Sequence, residues 1–95
     1  MPAYVVVEIE ITDPQGYEEV KRLTPGVVAA YGGRYLARGG QTRVLSGAWA
    51  PPRLVILEFP TLVQARAWES SPEYTALKPA RDRSARVNMA WTEGL

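Results

Sequence analysis

A short run of alternating residues carries two arginines at a spacing that suits anion binding. Glycine pairs at 32–33 and 39–40 flank Arg34 to Arg38, which indicates that the chain reverses direction at both ends. Because alternation with a period of two is typical of strands, Arg34, Leu36 and Arg38 are predicted to share one face. A guanidinium binds carboxylates and enolates through paired hydrogen bonds, so either arginine could orient an anionic oxygen.

Three glutamates at even-numbered positions of other predicted strands would lie on the same face as these arginines. They are Glu8, Glu10 and Glu58. A glutamate that is partly removed from water could transfer a proton to or from a substrate. We therefore predict Glu58, Glu8 and Arg38 as catalytic residues. The alternative, which is favoured for any one of them, is that these charges form ion pairs that tie the sheet and a dimer together.

Further side chains are predicted to line a pocket between the sheet and the helices. Tyr4, Val6, Leu36 and Ile56 would form its wall, and Arg34 would hold an anionic group. The complete predicted ligand-binding set is Arg34, Tyr4, Tyr31, Tyr35, Leu36, Ile56, Ser71 and Tyr74. Structural roles are favoured for three members of this set, namely helix-end packing for Tyr31, a helix cap for Ser71 and core packing for Tyr74.

The residue inventory excludes several kinds of chemistry. The 95 residues include no cysteine and no histidine, which rules out disulfides, thiolate nucleophiles and a serine–histidine–acid triad. We expect neither a metal site nor another cofactor. A formal net charge of +1 gives no electrostatic footprint for nucleic acid or for an anionic membrane. The first residues lack the pattern of a signal peptide, and no apolar run approaches the roughly 20 residues of a membrane span, so we expect a cytoplasmic protein.

Hydrophobic periodicity predicts a single domain over residues 1–95 with the element order βαββαβ. Strands are predicted at 4–11, 33–38, 53–59 and 86–93. Asp13, Thr61 and Ser71 have the side chains and positions of helix N-caps, and the second helical region is predicted to restart at Ser71. This order is that of the ferredoxin-like α+β fold with a four-stranded antiparallel sheet.

Three expectations concern the irregular parts of the chain. Pro25 should kink the first helix or split it, because proline cannot donate the backbone hydrogen bond of a helix interior. Residues 41–45 in the long connection 39–52 could extend the sheet, after a bulge at the second glycine pair. Trp49 in the same connection could cover either a partner subunit or its own subunit.

The two faces of the predicted sheet differ in polarity. Odd-numbered positions are apolar and should meet the helices, whereas even-numbered positions mix apolar side chains with charges. The apolar members of the even-numbered face include Tyr4, Val6, Leu36, Leu54 and Ile56. An exposed patch of this kind favours cover by another surface, and the same face of a second copy would provide it. We therefore predict a homodimer that forms through the sheet face.

Four segments of the chain together resemble the family of domain of unknown function 1330. They are residues 4–14, residues 31–40, residues 57–60 and residues 68–74, with Leu77 and Arg81 following. The resemblance implies a ferredoxin-like subunit that dimerises into an α+β barrel. The wider group of such barrels includes cofactor-free monooxygenases, lactone isomerases, haem-dependent enzymes and ligand-sensing domains.

Together these observations predict a protein that binds a small molecule. The leading hypothesis is a metal-free enzyme that acts on a small acidic or aromatic metabolite by proton transfer, isomerisation or oxygenation. A non-catalytic ligand-binding module and a purely structural dimer are the alternatives, since fold analogy alone supplies no reaction.

Overall fold

The predicted order of elements is confirmed in the computed structural model, which describes residues 1–95. The elements are β1 (Ala3–Ile11), α1 (Pro14–Ala30), β2 (Arg34–Arg38), β3 (Leu54–Phe59), α2 (Leu62–Glu69), α3 (Pro72–Ser84) and β4 (Ala85–Glu93). The four strands form one antiparallel sheet in the order β2-β3-β1-β4. The fold is therefore a ferredoxin-like α+β fold, with the second helical region divided into α2 and α3.

The core lies between one face of the sheet and the helices. Odd-numbered side chains of β1 and β3, such as Val5 and Leu57, are buried there, as the alternation predicts. The helices contribute Val28, Trp68 and Tyr74 to the same cluster. The even-numbered side chains of β1 and β3 point away from the helices, and we call this side of the sheet the open face.

The predicted N-caps are confirmed. The Asp13 carboxylate accepts from the backbone N–H of Gly16, and the Thr61 hydroxyl accepts from that of Gln64, both at 3.2 Å. Ser71 caps α3 by accepting from the backbone N–H of its third residue at 3.1 Å. These bonds satisfy donors that a helix start leaves free, which explains why the helices begin at these residues.

Pro25 does not split α1, which runs unbroken through it. The missing N–H of Pro25 deprives the backbone carbonyl of Lys21, four residues earlier, of its helical donor. The Arg38 guanidinium supplies a replacement, since its Nη2 donates to the Lys21 carbonyl oxygen at 3.0 Å. The proline is thus accommodated by a tertiary hydrogen bond.

A bulge in β2 overturns the predicted face of Arg38. Arg34 pairs with Glu58, but beyond Tyr35 the register shifts, and Arg38 pairs with Val55. Because Val55 is a buried, helix-facing residue, Arg38 lies on the helix side of the sheet and not beside Arg34. The prediction that the two arginines share a face is wrong, since one extra residue inverts every later side chain.

The connection between β2 and β3 contains no strand. The predicted extension of the sheet by residues 41–45 is therefore wrong. Gly39 begins the connection with a φ of +66°, and the Arg53 guanidinium occupies the space where a side chain of residue 39 would lie. The connection crosses to the open face, where the Trp49 indole Nε1 donates to Glu8 Oε2 at 3.1 Å.

Replacing Gly33 by alanine should lower the free energy of unfolding by about 1–3 kcal/mol. A Cβ at this position would lie 2.5 Å from Phe59 Cε1 and 2.8 Å from Val28 Cγ1. Both neighbours are buried, so neither can move aside freely. Urea denaturation measures the change. Gly40→Ala is the matched control, because nothing lies within 4 Å of its added methyl group. Equal stability of the two variants would contradict this account of the turn.

Candidate small-molecule site

An open groove lies on the helix side of the sheet, between α2 and the edge strand β4. Its volume is about 870 Å³. The groove is lined mostly by apolar side chains: Val5, Leu62, Val63, Ala65, Ala67, Trp68, Val87, Met89, Ala90 and Trp91. Trp91 is 52% exposed although its position in β4 directs it toward the helices. The helices therefore leave part of the apolar sheet uncovered, and a groove of this size and lining suits a small organic molecule.

The sequence of α2 explains why the groove is open. Ala65 and Ala67 both line it, and neither side chain extends beyond a methyl group. On the opposite wall, Val87, Met89 and Trp91 alternate along β4 and present larger apolar surfaces. The two alanines, set among larger residues such as Leu62 and Trp68 in the α2 wall, leave space in front of β4.

Trp68 forms the inner wall of the groove. Its side chain is 1% exposed, stacks on Tyr74 with ring centroids 4.5 Å apart, and lies 5.5 Å from the Phe59 ring. Its indole Nε1 is buried and has no acceptor within the protein. A buried donor without a partner costs about 1–3 kcal/mol, so such groups are rare and call for an explanation. A ligand that carries an acceptor would supply the missing bond.

Arg81 of α3 also lines the groove. Its Nη1 donates to the Tyr74 hydroxyl oxygen at 3.0 Å, and its Nε donates to Asp82 Oδ1 at 2.9 Å. Burial disfavours the charge of Arg81, but these two hydrogen bonds outweigh it and raise the pKa of the guanidinium above its ordinary value. The side chain is therefore a fixed cation beside the groove.

A second, smaller space of about 50 Å³ lies between the sheet and the helices, and we call it the inner cavity. The groove and the inner cavity share the lining residues Trp68, Arg81, Val87 and Met89. Tyr17, Tyr35 and Tyr74 also line the inner cavity. Burial raises the pKa of Tyr17 and of Tyr35, so both phenols stay protonated at neutral pH and can donate hydrogen bonds.

Several of the residues predicted from the sequence cluster on the open face. Arg34 Nε donates to Glu58 Oε1 at 2.7 Å, and Tyr4 lies opposite Glu58 on the neighbouring strand. A hydrogen bond to the Glu58 carboxylate raises the pKa of Tyr4, with a smaller effect of burial. Glu8 forms a second cluster, since its carboxylate accepts from Asn88 Nδ2 at 2.9 Å as well as from Trp49.

The predicted pocket wall is wrong. Tyr4, Val6 and Ile56 lie on the open face, and Leu36 is the unpaired residue of the bulge and 47% exposed. None of these side chains lines the groove or the inner cavity. The even-numbered residues of β1 and β3 face away from the helices, because the odd-numbered ones face toward them.

The predicted site residues therefore separate into groups. Glu58, Glu8 and Arg34 lie on the open face, whereas Arg38 lines the inner cavity on the other side of the sheet. The structure does not bring the three predicted catalytic residues together within one subunit. Their catalytic roles stay predictions.

Three other predicted ligand-binding residues have structural contacts. Tyr74 is a core residue that also lines the inner cavity, and Ser71 is a cap whose hydroxyl donates to the Trp68 carbonyl at 2.7 Å. The Tyr31 hydroxyl donates to the Glu73 carboxylate at 3.0 Å. Burial and this hydrogen bond raise the pKa of Tyr31. The structural roles favoured for Tyr31, Ser71 and Tyr74 are confirmed.

Sequence reasoning missed most of the groove. The residues it did not single out as site residues include Trp68, Arg81, Met89 and Trp91. One signal was present, since Val87, Met89 and Trp91 were placed on the helix-facing side of the last strand. What the sequence did not disclose is that the helices leave that end of the sheet uncovered.

No group of three or more acidic side chains is arranged to hold a metal ion. No helix has the length and the apolar character that crossing a membrane requires.

The fold and the groove place the chain in a recognisable class of structures, the ferredoxin-like α+β proteins. Solved structures of this class include a protein of unknown function from Rhodopseudomonas palustris (17% identity, 99% of this chain and 82% of that chain covered, TM-score 0.76). A dimeric ferredoxin-like protein of unknown function from Thermobifida fusca is also similar (16% identity, 99% and 92% covered, TM-score 0.68). SnoaB, a cofactor-independent oxygenase from Streptomyces nogalater, has the same fold (13% identity, 99% and 93% covered, TM-score 0.70). At these identities the likeness concerns the fold.

The chain belongs to the DUF1330 family, a domain of unknown function, whose family model matches residues 2–95. The resemblance read from the sequence is thereby confirmed. No curated protein matches the sequence at a significant level.

Proposed function

We propose that this protein binds a small, largely apolar aromatic molecule in the groove between α2 and β4. The observation that carries the proposal is the buried Trp68 indole N–H, which has no acceptor and belongs to the wall that the groove shares with the inner cavity. The ligand stacks against apolar walls and accepts a hydrogen bond from Trp68 Nε1. Arg81, which is fixed beside the groove, favours an electron-rich or acidic ligand.

The open face of the sheet serves in this proposal as a homodimer interface. It combines apolar side chains, such as the exposed Leu36 and the half-buried Ile56, with the paired charges Arg34–Glu58 and Arg86–Glu10. A surface that carries both signs of charge and an apolar centre is complementary to a second copy of itself across a two-fold axis. The Thermobifida fusca protein of the same fold is described as dimeric, which supports a dimer here without indicating its interface.

A metal-free enzyme is the second candidate, supported by the fold shared with the cofactor-independent oxygenase SnoaB. Among the three predicted reaction types, oxygenation agrees best with the groove. Glu69 is the one carboxylate that lines the groove, and its Oε2 lies 2.6 Å from Lys78 Nζ. The groove therefore offers no unpaired carboxylate to move a proton, which proton transfer and isomerisation would require. Oxygen uptake in the presence of a bound ligand distinguishes this candidate from simple binding.

Replacing Ala67 by tryptophan should block the groove without disturbing the core. Ala67 is exposed and lines the groove, so an indole at this position occupies the ligand's space. A panel of substituted naphthalenes, screened by thermal shift, should include a compound that raises the melting temperature by mass action. Isothermal titration of that compound into Ala67→Trp should show an affinity at least about tenfold weaker than that of the wild type.

Ala76→Trp is the matched control, because Ala76 is an exposed alanine of α3 that does not line the groove. This variant should bind the compound as the wild type does. The proposal is contradicted if no compound of the panel stabilises the wild type, or if the two tryptophan variants bind the compound equally well.

A further inference from the structure

The charged side chains that line the inner cavity are all cationic. Four cationic side chains line it, and no aspartate or glutamate does. The cations are Lys21, Arg38, Arg53 and Arg81. The remaining polar groups are the tyrosine and threonine hydroxyls and the Trp68 indole N–H, all of which can donate hydrogen bonds. A cavity with this lining is positive and rich in donors.

Three of the four cations lack a carboxylate partner. Arg81 is bonded to Asp82, but Lys21, Arg38 and Arg53 take part in no ion pair. Arg38 is engaged with a backbone carbonyl of α1 and lies over the Tyr35 ring at 5.0 Å. Unpaired cations at the border of a low-dielectric interior attract an anion more strongly than they would in water.

Arg53 is a cation for which the protein supplies no hydrogen-bonding partner. Its side chain makes no hydrogen bond, and its Nε is buried without an acceptor. The Arg53 Nε and the Trp68 Nε1 are the two buried side-chain donors that have no partner in the protein. Both residues line the inner cavity. Two buried donors around one small cavity point to a missing acceptor.

We propose that the inner cavity is an oxyanion subsite that receives the anionic head of the ligand held in the groove. The proposal rests on the proposed function and narrows it to aromatic acids. The ring of the ligand lies in the groove, and its head passes into the inner cavity at the shared wall of Trp68, Arg81, Val87 and Met89. A volume of about 50 Å³ holds a carboxylate-sized group or a few water molecules.

The test compares 2-naphthoate with its neutral analogue 2-naphthamide by isothermal titration. The wild type should bind the acid roughly tenfold or more tightly than the amide, because a guanidinium binds a charged carboxylate more strongly than a neutral amide oxygen. Arg53→Met keeps an unbranched stem without the guanidinium and breaks no ion pair, so the variant should fold. It should lose most of the preference for the acid. Arg83→Met, which removes an exposed charge that does not line the cavity, should retain that preference.

Equal affinities for the acid and the amide would overturn the oxyanion subsite while leaving the groove proposal standing. If neither compound binds, the groove proposal is contradicted. The oxyanion subsite is then tested with acetate, which does not require the groove for binding. At matched ionic strength, acetate should raise the melting temperature of the wild type more than that of Arg53→Met. An equal response of the two proteins would overturn the subsite. The same preference for the acid in Arg53→Met as in the wild type would also overturn it.

Discussion

Replacing Trp68 by alanine is expected to lower the free energy of unfolding by about 3–5 kcal/mol, the range for deleting a large buried aromatic side chain. Trp68 is almost completely buried and contacts the rings of Phe59 and Tyr74, which lie on opposite layers of the core. Its removal leaves a cavity between α2 and the sheet. A domain of this size is stable by about 5–15 kcal/mol, so the loss is a large part of the total. Chemical denaturation monitored by circular dichroism measures the change.

Trp68→Phe separates the packing role of the indole from its hydrogen-bonding role. Phenylalanine keeps an aromatic ring against Tyr74 but has no N–H, so stability should fall far less than in the alanine variant. Ligand affinity should nevertheless weaken, because the proposed hydrogen bond to the ligand is lost. A Trp68→Phe protein that binds ligand as the wild type does would show that the unpartnered N–H has no part in recognition.

Replacing Ile56 by arginine is expected to raise the dissociation constant of the proposed dimer by about a hundredfold or more. Ile56 lies in the middle of β3 on the open face, between Val6 and Ala37 of the neighbouring strands. A cation placed at an apolar dimer interface without a partner costs about 3–5 kcal/mol. Sedimentation velocity over a range of concentrations measures the shift from dimer to monomer.

Val63→Arg is the control for this experiment. Val63 is 78% exposed and lies on the helix side of the molecule, so the same change of charge there should leave the dimer intact. A dimer that tolerates Ile56→Arg but not Val63→Arg would place the interface on the helices. A protein that is monomeric before any substitution would remove the role proposed for the open face.

Local rules recovered the fold because every element carries its own signal. Strict alternation along β1 and β3 fixed which side of the sheet faces the helices, and the caps Asp13, Thr61 and Ser71 fixed where helices begin. These signals depend on neighbours within a few residues. They therefore do not depend on how the rest of the chain packs.

Those local rules could not predict the face of the sheet on which Arg38 lies. Leu36 is an ordinary strand residue, and nothing in the stretch around it announces a bulge. The cause is tertiary, since the register shift brings Arg38 to the carbonyl that Pro25 leaves without a donor. A hydrogen bond between residues 17 positions apart, in two different elements, cannot be predicted from either element alone.

The candidate site was only partly predictable for a similar reason. A ligand pocket between the sheet and the helices was expected to include Glu58 and Arg34, which instead pair with each other on the open face. The groove depends on how far α2 lies from β4, and this distance is set by the packing of the whole helical layer. Alanines such as Ala67 are unremarkable in a sequence, but in the structure they leave the space that a ligand can occupy.

The central claim, that a small molecule binds in the groove and bonds to Trp68, is tested most directly by nuclear magnetic resonance. The three tryptophans give three indole N–H signals, which single Trp→Phe variants assign. Titration with 2-naphthoate should move the Trp68 signal in the direction of a new hydrogen bond and leave that of Trp49, on the open face, in place. A Trp68 signal that stays fixed while 2-naphthoate binds would contradict the account.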